Sequence, residues 1–143
     1  MPIIGFQFDK IFGERTGSIK GKVDIQHSFN ITDIKKEELN LEKKQDVLKF
    51  DFNFNVIYKP DLGKISFEGH VLYLETPEKV KKIAEEWKKS KKMPEDIITP
   101  VINMILTKSN VKALILSQDI NLPPQIQLPK ASPVKQKTEN YIG

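Results

Sequence analysis

Few side chains in this 143-residue chain could do chemistry. With no cysteine, there is no thiolate nucleophile, no thiolate zinc site and no disulfide. Only His27 and His70 could act as imidazole bases. His27 shares a period-two row with Ile19, Gly21, Val23, Ile25, Phe29 and Ile31, so it is expected inward, as a core or strand-edge histidine with one hydrogen bond. His70 falls on the row opposite Phe67 and Val71 and is expected on the exposed side, away from His27. Asp51 and Glu68 could face one another across a hairpin, the carboxylate pair that acid–base work needs. Scattered among lysines, they read as surface charge. Gly13 and Gly17 flank Glu14-Arg15-Thr16, without the Gly-Lys-Ser/Thr ending of a phosphate-cradling loop. No enzyme, metal or cofactor is expected.

Binding residues are easier to nominate. The run Lys88 to Lys92 could form an anion patch, but lysines at a helix end also suit the negative terminus of its dipole. Arg15 is the one arginine, whereas phosphate and base readout favours arginine, so nucleic acid is not the expected partner despite the net charge of +4. Apolar residues with aromatic or adaptable side chains suit capture of an unfolded chain: Phe12, Trp87, Met93, Met104, Ile126 and Leu128. For each of these the plainer alternative is core or oligomer interface.

The elements that must position these residues are legible. Leu48, Phe50, Phe52, Phe54, Val56 and Tyr58 alternate with mostly polar neighbours. The turn Lys59-Pro60-Asp61-Leu62-Gly63 follows, with glycine expected to take the left-handed geometry. Ile65, Phe67, Gly69, Val71 and Tyr73 then complete an antiparallel hairpin. A first strand is expected over Phe6 to Ile11, broken or bulged at Gly13, and a second from Ile19 onward. Lys35 to Asp46 is either a solvated loop or a short edge strand.

Thr76-Pro77 sets threonine as N-cap and proline at the first helical position, and Val80, Ile83, Ala84 and Trp87 form one stripe. Met93-Pro94 is expected to start a second helix by the same device. A further helical stretch is expected over Val111 to Ser117, after Lys108-Ser109-Asn110. Ile98, Val101, Ile102 and Ile105 belong to an apolar surface covering over half the second helix, more than one sheet is expected to bury. They are therefore assigned to an oligomer interface in a dimer or tetramer. Leu122 to Pro129 is an extended proline-rich segment lying on the body. The domain is expected over 1–130, with a loose basic tail over 131–143. The N-terminus has no signal-peptide pattern and no stretch is apolar enough to span a membrane, which together with cysteine absence fits the cytoplasm. Lysine, glutamate and isoleucine richness points to a heat-adapted organism.

Four strands followed by two helices resemble the SecB family of protein-export chaperones. Phe6-Gln7-Phe8-Asp9-Lys10-Ile11-Phe12 is similar to the family's opening strand, and Gly63 to Val71 to its last long strand. Ile97 to Ser109 is similar to its long helix and Asn121-Leu122-Pro123-Pro124 to its leucine/proline ending. The resemblance implies an α+β fold: a four-stranded antiparallel sheet with two helices packed on one face. It also implies a homo-oligomeric holdase that grips unfolded polypeptide in hydrophobic grooves without ATP, serving export or antitoxins. Two departures touch the export role. There is no acidic cluster to match the family's motor-docking face, Asp51 with Asn53 and Asn55 being the nearest, and the tail is basic at Lys130, Lys135 and Lys137. The alternatives are a structural or adaptor homo-oligomer and a lysine-patch nucleic-acid binder.

Overall fold

The computed structural model describes residues 3–40, 42–131 and 133. Alternating apolar residues build four strands: β1 (Ile3–Arg15), β2 (Asp24–Asn40), β3 (Lys44–Lys59) and β4 (Gly63–Leu74). All pair antiparallel in the order β1-β4-β3-β2, so β2, β3 and β4 form a meander and β1 returns to lie beside β4, a Greek-key arrangement. Two helices follow, α1 (Pro77–Ser90) and α2 (Glu95–Asp119). Both cover the apolar face of the sheet. Val80, Ile83 and Ala84 of α1 and Ile97, Val101 and Ile105 of α2 join Ile34, Leu48, Phe50, Phe52, Val71 and Tyr73 in one core cluster. Phe54, Val56, Tyr58, Ile65, Phe67, Ala113 and Leu122 form a second.

The boundaries differ from expectation in informative ways. Gly13 does not interrupt β1; the bulges lie at Ile3/Gly5 and Phe8/Lys10. The second strand starts at Asp24, leaving Ile19 outside it and 40% exposed, and runs on through the charged stretch to Asn40. The charges there are tolerated because β2 is an edge strand whose outer side meets solvent, with Lys36 against Asp46 at 3.4 Å. Edge position also explains His27: it keeps the inward parity, opposite Val56, but is exposed. In the β3–β4 turn the left-handed residue is Asp61 (φ 50°), a residue type that tolerates this conformation, and Gly63 is already paired with Tyr58. Pro94 is the N-cap of α2, not its first helical residue, and α2 runs unbroken through Lys108-Ser109-Asn110.

Beyond α2 the chain turns back and is pinned. The backbone N–H of Leu122 donates to the Ser117 carbonyl at 2.8 Å, and the buried Tyr58 hydroxyl donates to the Pro123 carbonyl at 2.7 Å. Gln125 Nε2 donates to the Asn110 carbonyl, also at 2.7 Å. Residues 132 and 134–143 of the expected tail lie outside the described residues.

Burial pushes the Tyr58 phenol from its ordinary 10 up to about 12. The fold therefore favours the protonated form, a stabilisation complete below pH 10 and lost as pH climbs through 12. Tyr58→Phe should cost about 1 kcal/mol near neutral pH, for the lost hydrogen bond. It should also flatten the fall in stability between pH 10 and 12. Denaturant titrations of both proteins across that window check this; parallel profiles would overturn it.

Candidate functional site

The sheet presents two unlike faces, and the chemistry each allows decides where a site can lie. The face away from the helices is polar. Asp51 there lies 3.9 Å from both Lys35 and Lys49, Asn30 bonds Asn53, and Ser66 bonds Asn55. Asp51 sits opposite His70 and Glu68 opposite Asn53, so the two carboxylates do not face one another. Instead Asp9 Oδ2 lies 2.7 Å from His70 Nδ1 while Asp9 Oδ1 accepts from Gln7 Nε2 at 3.1 Å. An oriented imidazole is half of an acid–base arrangement. Among the described residues no hydroxyl hydrogen-bonds to that ring, and no cluster of histidines and carboxylates could hold a metal. The Asp9–His70 pair depends on β1 lying beside β4, a long-range pairing that alternation alone does not reveal.

The other face offers a groove. Aromatic rings line up over Gly69: Phe8 lies 5.0 Å from Phe6 and 5.0 Å from Phe67, and Phe6 stacks on Phe52 at 5.5 Å. This row carries Phe6 and Phe8 out to the sheet edge beside α2. There Lys108 Nζ stands 5.6 Å from the Phe6 ring centroid. Further along, a side chain at Gly13 would touch Leu116 and Ile120, and Arg15 reaches the Asn121 carbonyl. Edge strand β1 and the second half of α2 therefore run side by side in the same sense. Between them Phe6, Phe8, Thr107, Lys108, Val111 and Lys112 line a groove of about 410 Å³. Its surroundings remain apolar where water reaches them: Ile11 is 46%, Val111 54% and Ile115 49% exposed.

Of the expected client-binding residues, Phe12 sits opposite Ser66 on the polar face, and Trp87 and Met93 pack on the edge of the first core cluster. Lys91 Nζ lies 5.1 Å from the Trp87 ring centroid, and Met104 is half-buried on α2. Ile126 and Leu128 are exposed on the segment anchored at Asn110, the residue before Val111. The structure does not bring these six together. The groove's own floor, Phe6 and Phe8, was visible as strand residues, but nothing local marks them as groove-lining. Val101 and Ile105, expected at an oligomer interface, are fully buried inside this chain; Ile98 and Ile102 are half-buried.

No family model matches this sequence, and no curated protein matches it. Among solved structures it is similar to the Mycobacterium tuberculosis SecB-like chaperone Rv1957, determined in complex with a ChAD peptide from the antitoxin HigA1 (Rv1956). The TM-score is 0.50 at 11% identity, over 91% of this chain and 89% of that one. At that identity the likeness is one of fold. This chain has a SecB-like fold, the four-stranded antiparallel sheet followed by two helices. No helix among the described residues is long and apolar enough to cross a membrane.

Proposed function

We propose that this protein is an ATP-independent holdase that grips non-native polypeptide in the groove between β1 and α2. The carrying observation is the exposure of Ile11, Val111 and Ile115 around a floor of Phe6 and Phe8, on an edge strand with a free side among the described residues. Such an edge offers backbone groups to an extended segment, whose alternate side chains then meet the groove. At roughly 25 cal/mol per Å², covering some 300 Å² would supply about 7 kcal/mol before ordering costs, enough for reversible capture. The SecB-like neighbour bound to an antitoxin peptide supports polypeptide as the ligand class.

Suppression of aggregation of an unfolded model protein tests the reading. Wild-type protein should suppress at low and high salt alike, because apolar burial is not screened. Val111→Asp/Ile115→Asp should lose most of the suppression, at least about fivefold, with an unchanged melting temperature, since both side chains face solvent. Equal suppression by the variant would remove the groove from the proposal. Ile102, half-buried on α2 and outside both core clusters, supports the second reading, a homo-oligomer built on α2, for which the native mass is the measurement. Transfer to an export motor is not assigned, because Asp51, the acid expected nearest to a docking face, stands between Lys35 and Lys49. The Lys88 to Lys92 run gains no interleaved exposed aromatic, so nucleic-acid binding is not favoured.

A further inference from the structure

We infer that the β1–α2 groove selects client segments bearing carboxylates beside their apolar residues. This rests on the holdase reading and specifies the chemistry of its substrate. Lys108 and Lys112 rise one helical turn apart along the groove, and among the described residues no acidic side chain lines it. Among the described residues the lysine ion pairs are made by Lys35, Lys36, Lys44 and Lys49, and neither groove lysine has a carboxylate within pairing distance. Lys108 instead lies over the Phe6 ring, a contact that leaves ammonium hydrogens for an incoming anion. Lys112 is half-buried, so a carboxylate reaching it is screened less than at an open surface. The cavity between α1 and α2 differs: its Lys79, Lys82 and Lys92 stand among Glu75, Glu86 and Asp96, and a charged client would meet both signs there.

In an extended chain, residues i and i+2 lie on one side about 7 Å apart. A leucine or phenylalanine on the groove floor thus brings an aspartate or glutamate two positions away towards the lysines. A lysine in that place would be repelled. Complementary charge across such a rim sets partner choice more than total affinity.

Three labelled, unstructured peptides with one shared aromatic–aliphatic core, flanked by Glu, Gln or Lys, would be titrated onto the full-length chain at low and high salt. The Glu peptide should bind about tenfold tighter than the Lys peptide, with Gln between, as expected for two partly exposed pairs. The gap should close at high salt, and Lys108→Glu/Lys112→Glu should invert the order without changing the melting temperature. Equal affinities for the three peptides, lost in Val111→Asp/Ile115→Asp, would overturn the charge preference and leave the holdase reading standing. A Glu preference that persists in Lys108→Glu/Lys112→Glu would likewise overturn this assignment, placing the preference elsewhere. No binding by any peptide would overturn both.

Discussion

Ile105→Asp will leave this protein largely unfolded, whereas Ile102→Asp will leave it folded. The two residues lie three positions apart on α2 and look equivalent in the sequence. Ile105 has no exposure and sits in the cluster with Phe50, Phe52, Val71 and Val80. Removing its side chain costs about 2–5 kcal/mol. Placing a carboxylate with no partner in that cluster adds several more, set against a total stability of roughly 5–15 kcal/mol. Ile102 is half-buried and belongs to neither core cluster, so its aspartate keeps water and costs about 1 kcal/mol. Far-ultraviolet circular dichroism with thermal melting separates them. A cooperative transition for Ile105→Asp within a few degrees of wild type would contradict the core assignment. In the oligomer reading, Ile102→Asp keeps a cooperative melting transition, lowered by a few degrees, but loses mass in sedimentation. If the mass is unchanged, Ile102 is ordinary surface.

That contrast marks how far the sequence could be read. Strand alternation over β3 and β4 gives the apolar face residue by residue, because every second position from Leu48 to Tyr58 is buried and turn chemistry closes the hairpin. The α1 stripe is equally plain, since three of its four apolar residues are buried. The second helix is another matter. Its apolar residues surround the axis, so helical period cannot say which of them face the sheet, and the buried line drifts from Ile97 through Val101, Ile105 and Ser109 to Ala113 and Ser117. An excess of apolar residues suggested a partner but could not distinguish Ile102 from Ile105, or single out Val111 and Ile115. Strand order was the other gap. Alternation is blind to whether β1 joins β2 or β4, and only the β1–β4 pairing puts Phe6 and Phe8 beside α2 and Asp9 beside His70. The candidate groove is thus a tertiary feature made from residues whose types were noticed and whose neighbours were not.

Gly69→Ala should be the most damaging single-methyl change in the sheet, and it should disable the groove as well as the fold. Gly69 pairs with Phe8 on one side and Phe52 on the other, in the middle of the aromatic row. A Cβ at this position would collide with the Gln7 carbonyl oxygen and come within 2.8 Å of the Phe52 ring. The carbonyl belongs to paired backbone and cannot yield without opening the β1–β4 ladder. The ring cannot yield without displacing Phe6 and Phe8, which pack on it. Overpacking of this kind costs about 3 kcal/mol, equivalent to a fall of roughly 10 °C in melting temperature for a chain of this size. By contrast, Gly21 has open space around it, so Gly21→Ala meets no such wall and costs only the strain of its left-handed φ of 78°. The strained ladder would release β1, the strand that supplies the groove floor, so Gly69→Ala should weaken peptide capture below its own melting transition. Hydrogen exchange would show the effect directly, as a selective loss of amide protection in β1. Unchanged β1 protection together with a wild-type melting temperature would mean that the rings over Gly69 are not packed as tightly as their centroid distances imply.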